Sequence, residues 1–269
     1  MDNPSLSNET RLGDTLTVGL AEYDTGWHDP ARSLSDVREI ALQAKAAGAG
    51  LLVLPEMCTT GFTMDAENYA EPLDGPSSHS LSALAKELDL GIIAGLATRR
   101  DGKFFNSAML FGPDGTLAAT YDKQRLFGFA HETEIYSAGA VPCIVEIGGV
   151  SLALFVCFDL RFPELFREVG PKVDAFVIIA NWPSARQKHW EILPHARAIE
   201  NQCFVVAVNR SGEADGLEYT GGSVFLDPWG ERRDVVAPGS SLRIGEISKR
   251  ALAEVRKAFP LPLPGARDP

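Results

Sequence analysis

Cysteine is scarce in this chain and never paired in sequence: Cys58, Cys143, Cys157 and Cys203 are widely spaced over 269 residues, with no C-x-x-C. That spacing argues against a zinc ribbon or a redox dithiol. The opening stretch MDNPSLSNETRLGD has no apolar h-region, so no secretory signal is expected there, and no apolar run approaches membrane-spanning length. Basic charge is in deficit as well. With 25 Lys and Arg against 36 Asp and Glu, the formal net charge is −11, which argues against nonspecific binding to nucleic acid or to an anionic membrane. Internal repeats and low-complexity linkers are missing. These absences leave a cytoplasmic protein with a small-molecule partner, in which Cys58, Cys143 and Cys203 are expected to be reduced core residues.

A hydrophobic fraction of 45% with 23% charged residues is ordinary for a globular protein. A chain of this length can bury a large core as one domain. The expected domain runs over 15–259, between an extended or disordered segment 1–14 and a proline-rich tail, 260–269, that lies over a partner or stays loose.

Strands and helices alternate. Thr15 to Tyr23 reads as a strand and Ser33 to Ala47 as a helix ended by Gly48 and Gly50. Leu51 to Leu54 is a short buried strand stopped by Pro55, and Ser78 to Leu88 is a second helix before the strand GIIAGLA. NSAMLF and TLAATY flank the turn signal GPDG and read as a hairpin. After a long loop from Gln124 to Gly139 come the strands PCIVEI, VSLALFV and VDAFVIIA. HWEILPHARAIEN follows as a helix in which Pro194 predicts a kink or a late start. CFVVAVN and GGSVFL are further strands, DPWG is a turn, and Ser248 caps a last helix to Phe259. About ten strands and four helices, joined both by hairpins and by helical crossovers, fit two mixed sheets covered by helices.

Cys157 stands where the apolar run VSLALFV meets VCFDLRFPELFR, with Pro163 suited to the first position of a new helix. The carboxyl end of a buried strand is where sites collect in α/β sheets. Cysteine is also among the most buried residue types, so the local sequence leaves nucleophile and core packing equally open. Glu56 and Lys123 likewise follow apolar strands. Singly, each reads as a solvated strand-end residue. Converged on Cys157, they would supply a base and a cation to a nucleophile.

LPEMCTTGF around Glu56, YDKQRLF around Lys123 and CFDLRFPELFR around Cys157 together resemble the carbon–nitrogen hydrolase, or nitrilase, superfamily, whose hallmark is a Glu-Lys-Cys triad. The resemblance covers Thr15 to Glu246 and implies an α-β-β-α sandwich. Phe158-Asp159 after the cysteine fits the amidase branch better than true nitrilases, which carry Trp-Glu there. The segments ANWPSARQKHWEILPHARAIENQCFVVAVNRSG and YTGGSVFLDPWG look like omega-amidases, which act on the terminal amide of 2-oxoglutaramate or 2-oxosuccinamate. Aliphatic amides, deaminated glutathione and N-carbamoyl compounds are the alternatives within the superfamily. A catalytically silent binding protein is the alternative of another class, and the intact triad speaks against it.

The resemblance implies further roles. Glu132 in HETEIYSAG matches a second active-site glutamate that holds the lysine, with Glu134 as its rival. The backbone N–H of Phe158 and Lys123 would receive the oxyanion, and no metal or organic cofactor is needed. Arg186 is the candidate for a substrate carboxylate, against the reading of a surface arginine. Trp182 and Phe62 are candidate pocket walls, although aromatics at strand ends are more often core. Arg161 is expected to be structural, paired with Asp159 or Glu164. With the triad complete, His131, His189 and His195 are assigned no catalytic role. The family usually forms homodimers or higher homo-oligomers, and the elements around Cys157 to Arg167 and the tail are expected contributors.

Overall fold

Period-two alternation inside continuous apolar runs explains the layering. Leu51 and Val53 point into one apolar cluster and Leu52 and Leu54 into another; Leu152, Leu154 and Val156 share the first, and Ala153 and Phe155 enter a third. A strand apolar on both faces must be covered on both. The computed structural model describes residues 14–237, 240 and 242–262, so the expectations for 1–14 and 260–269 lie almost wholly outside the described residues.

In chain order the elements begin β1 (Thr15–Leu20), α1 (Pro30–Ala46), β2 (Leu51–Val53), α2 (Ala66–Tyr69), α3 (Pro76–Leu88), β3 (Gly91–Arg100), β4 (Lys103–Phe111) and β5 (Leu117–Asp122). They continue with α4 (Glu132–Ile135), β6 (Ile144–Ile147), β7 (Val150–Val156), α5 (Pro163–Val169), β8 (Ala175–Ala180), α6 (Gln187–Asn201) and β9 (Phe204–Asn209). The last are β10 (Ser211–Ala214), β11 (Leu217–Thr220), β12 (Val224–Leu226), β13 (Val235–Val236), β14 (Arg243–Ser248) and α7 (Lys249–Ala258).

One sheet has the order β13-β14-β1-β2-β3-β4-β5 and the other β12-β9-β8-β7-β6. Both are mixed: β1, β2 and β3 run parallel, as do β7, β8 and β9, and antiparallel strands complete each side. The first cluster lies between the two sheets. Val37, Ala41 and Ala44 of α1 and Leu81 and Ala85 of α3 cover the outer face of one sheet; Phe166 of α5 and Trp190 and Ala198 of α6 cover the other. The result is the four-layer α-β-β-α sandwich. No helix among the described residues is long and apolar enough to cross a membrane.

Several expected elements change. GIIAGLA extends to Arg100 and turns at Asp101-Gly102, both at positive φ, into a β4 that begins at Lys103. Its charged tip, TRRDGK, hides the strand from an apolar pattern. β14 pairs with β1 over six residues although RIGEIS is too polar and glycine-containing to read as a strand. The hairpin β10–β11, SGEA and LEYT around Asp215-Gly216, was hidden for the same reason. Pro194 gives no late start, because α6 already begins at Gln187. Ser248 does cap α7, accepting from the Ala251 N–H.

Candidate active site

Glu56, Lys123 and Cys157 follow β2, β5 and β7, and the sandwich brings these strand ends together. Each is then fixed locally. The Glu56 turn lies directly on β3: a Cβ at Gly95 would stand 2.5 Å from Glu56 Cα and 2.7 Å from the Met57 nitrogen, so only glycine permits the approach. The Lys123 N–H donates to the Asn106 carbonyl of β4 at 2.9 Å. Cys157 adopts φ +44, in the left-handed region that costs a non-glycine residue energy and that clusters at functional sites.

Asp159 explains how that strained turn is held. Its carboxylate accepts from the Val156 N–H at 2.9 Å, the Tyr121 hydroxyl at 2.8 Å and the Arg125 N–H at 2.8 Å. Tyr121 and Arg125 flank Lys123, so one carboxylate ties the cysteine turn to the lysine segment. Burial pushes the Asp159 carboxyl up to about 6, with those donors opposing the rise. With its oxygens engaged by these three donors, Asp159 is not paired with Arg161. Nor does Arg161 pair with Glu164, which lies 3.6 Å from Arg125. The guanidinium of Arg161 faces the pocket instead, 2.9 Å from His189 Nδ1 and 4.7 Å from the Trp182 ring centroid.

Glu56, Lys123 and Glu132 are all fully buried. Lys123 Nζ donates to Glu56 Oε1 at 3.0 Å and to the two oxygens of Glu132 at 3.0 and 2.9 Å. Glu134 lies outside this cluster, 69% exposed and paired with His131, so geometry separates the two rival glutamates. Burying three ionised groups costs several kcal/mol per ion before pairing offsets it. Such an arrangement is weak evidence for stability and better evidence for a site.

Hydrogen-bond counting distinguishes the two buried carboxylates. A carboxylate offers about four acceptor positions. Glu132 receives Lys123 twice, Asn106 Nδ2 at 2.8 Å and the Phe127 N–H at 2.5 Å, and is saturated. Glu56 Oε1 receives Lys123 and Asn106 Nδ2 at 2.7 Å, while Oε2 receives the Asn181 N–H at 2.7 Å and only a long contact, 3.5 Å, from Asn181 Nδ2. The second position of Glu56 Oε2 is therefore the weakly held one, where a proton from outside the cluster can be accepted.

The electrostatics agree. Burial disfavours the charged form of Lys123, but Glu132 and Glu56 outweigh it and hold the ammonium's pKa above its ordinary value. Burial and then Glu56 push the Cys157 thiol well up, against the opposing pull of Lys123. Raised in this way, the Cys157 thiol would need a base to act as a nucleophile.

Above Cys157 lies a cavity of about 60 Å³. One water needs roughly 10–15 Å³ on this measure, so the space suits a small molecule. Phe62, Phe158, Trp182 and Arg186, all singled out from sequence, line it, together with Lys123 and Cys157. Trp182 serves the core as well, packing 5.7 Å from Trp190 while its indole N–H donates to the Arg186 carbonyl. Sequence reasoning missed Arg161, Asn181 and Tyr219 in this lining and Asn106 beneath it. A polar residue inside the apolar NSAMLF, and another ending VIIAN, were the available signals. Tyr219 comes from the hairpin β10–β11 and is pinned by the buried Arg210 guanidinium, 4.6 Å from its ring centroid.

The family model for carbon-nitrogen hydrolases matches residues 17–257. The 2-oxoglutaramate amidase of Bacillus subtilis is 34% identical over 91% of this chain and 95% of its own length. Omega-amidase YafV of Yersinia enterocolitica is 40% identical over the same shares. Among solved structures, XC1258 of Xanthomonas campestris, a CN-hydrolase superfamily protein with an arsenic adduct in its active site, superposes with a TM-score of 0.85 at 37% identity, covering 91% of this chain and 95% of that one. Fold, site geometry and these likenesses define a hydrolase of carbon–nitrogen bonds other than peptide bonds. The chain belongs to the carbon–nitrogen hydrolase family and is an amidohydrolase.

Proposed function

We propose that the protein is an omega-amidase that converts 2-oxoglutaramate or 2-oxosuccinamate to the 2-oxo acid and ammonia. The observation that carries this is the pair of guanidiniums, Arg161 and Arg186, on the wall of a small pocket whose floor is Cys157. Burial and the neighbouring Arg186 charge hold the Arg161 guanidinium below its ordinary pKa. A substrate carboxylate would relieve that repulsion and match both forks. The relatives named for omega-amide substrates support the same reading.

In this reading Cys157 Sγ attacks the amide carbon while the weakly held Oε2 of Glu56 accepts the thiol proton. Lys123 and the Phe158 N–H stabilise the oxyanion. Protonated by Glu56, ammonia leaves and a thioester remains. Water, activated by Glu56, then releases the acid. Glu132, already saturated, holds the ammonium of Lys123 in place and takes no proton.

The test is a side-by-side assay of 2-oxoglutaramate, a simple aliphatic amide, deaminated glutathione and an N-carbamoyl compound. A preference for the omega-amide is expected. In Arg161→Met and Arg186→Met, KM for it should rise about 10- to 100-fold, the worth of a charged hydrogen bond, with a neutral amide almost unaffected. Preference for another member of the panel would reject the omega-amidase assignment.

A cytoplasmic location is supported by four free thiols. A homodimer is supported by Ile192 and Ile199 of α6, 51% and 53% exposed and two helical turns apart on one face. Sedimentation is expected to show a dimer at micromolar concentration, and Ile192→Asp with Ile199→Asp to shift it toward monomer. Only monomer in the unaltered protein would end that proposal.

A further inference from the structure

We propose that Asn106 is a positioning residue whose carboxamide holds Glu56 and Glu132 apart and, by fixing Glu56 Oε1, aims the weakly held Oε2 of Glu56 at the Cys157 thiol. The inference rests on the amidase reading above and concerns a residue that is neither in the triad nor the second glutamate.

Asn106 sits in β4, fully buried. Its Nδ2 donates to Glu56 Oε1 at 2.7 Å and to Glu132 Oε1 at 2.8 Å. Lys123 Nζ donates to the same two oxygens at 3.0 Å each. Two carboxylate oxygens and two bridging donors thus close a ring, one donor charged and the other neutral. The orientation of the amide is dictated by chemistry: flipped, it would point an oxygen at two carboxylates. The correct orientation leaves Asn106 Oδ1 buried without a hydrogen-bond partner among the described residues. Leaving a buried carbonyl unpaired costs free energy, and the carboxylates are what that cost secures.

The neutrality of this second donor matters. A second cation in place of Asn106 would depress the basicity of Glu56, whereas no donor at all would leave the two carboxylates bridged by Lys123 alone. Asparagine keeps both carboxylates engaged while leaving the lysine as the site's one bridging charge. Its backbone acts in the same direction, since the Asn106 carbonyl accepts the Lys123 N–H. The titratable groups facing Glu56 are Lys123 at the end of β5, Glu132 of α4, Cys157 after β7, Tyr136 after α4 and Tyr219 of β11.

Two variants decide the matter. Asn106→Leu removes the donor, and Asn106→Asp keeps the shape while replacing the donor by a third carboxylate. For each, kcat and KM for 2-oxoglutaramate are measured against pH, alongside the pH dependence of Cys157 alkylation by iodoacetamide, with rates normalised to folded enzyme from thermal unfolding. Because the donor favours the ionised carboxylate, its loss should move the acidic limb of both profiles up by about one pH unit. It should lower kcat about 100-fold with KM within about threefold. A merely structural Asn106 would cost folded protein and leave both profiles superimposable on the unaltered enzyme, and that result overturns the inference. If Asn106→Leu does not fold, the isosteric Asn106→Asp carries the test. Should the unaltered enzyme hydrolyse no amide, the amidase reading fails, and the alkylation profiles still decide the role of Asn106.

Discussion

Cys157→Ala is expected to reduce ammonia release by about 10⁴-fold or more, the scale on which removal of an activated nucleophile acts. Structure should survive, because the backbone strain at φ +44 belongs to the turn and Asp159 still holds that turn from below. The thiol also faces a cavity, so its loss removes little packing. Mass spectrometry of the unaltered enzyme quenched with substrate should show an acyl adduct on Cys157, absent in the variant. Stability supplies an independent sign. The thiol's pKa is raised in the folded state, so the protonated form is the one the fold prefers. That contribution is complete below the ordinary thiol value of about 8.5 and is lost as pH rises toward the folded-state value. Alkaline destabilisation between pH 8 and 10 should therefore be weaker in Cys157→Ala than in the unaltered protein. Full activity in the variant would remove the thioester mechanism altogether.

The elements that position this site differ in how plainly the sequence announces them. VSLALFV, VDAFVIIA and CFVVAVN are buried on both faces, so their apolar runs state both their conformation and their place inside the sandwich. Their ends mark Cys157, Asn181 and Asn209. By contrast β14 and the hairpin β10–β11 are held by pairing with β1 and by Arg210, and pairing leaves no apolar period to read. Charge partners were harder still. Asp159 and Arg161 are two residues apart in sequence, and short spacing suggested an ion pair. Asp159 spends its acceptors on Val156, Tyr121 and Arg125, from the strand end and the neighbouring sheet. That freed Arg161 for the pocket wall. Asn106 was invisible for a related reason: its partners are 50 and 26 residues away and meet it only where β2, β4 and α4 converge.

Lys123→Met should be costly in two separable ways. On the proposed mechanism, losing the cation removes oxyanion stabilisation and the charge that favours thiolate, and about a 10³-fold fall in kcat is expected. It also leaves Glu56 and Glu132, both fully buried, bridged by Asn106 alone. Breaking a buried ionic cluster by removing one partner costs about 3–5 kcal/mol, because the remaining charge is uncompensated. The pH dependence identifies that origin. In the unaltered protein the pKa of Lys123 is raised in the folded state, so its stabilisation is complete below the ordinary lysine value of about 10.4 and is constant across the range from pH 5 to 8. In the variant, two like charges without a cation favour protonation of one of them. The variant's folded state then binds more protons than its unfolded chain, so its stability falls as pH rises. Thermal unfolding should show the largest gap between the two proteins at pH 8 and a narrowing gap toward pH 5. A gap that does not change with pH would mean that Lys123 contributes packing rather than charge, and the separate roles assigned to Glu56 and Glu132 would lose their physical basis.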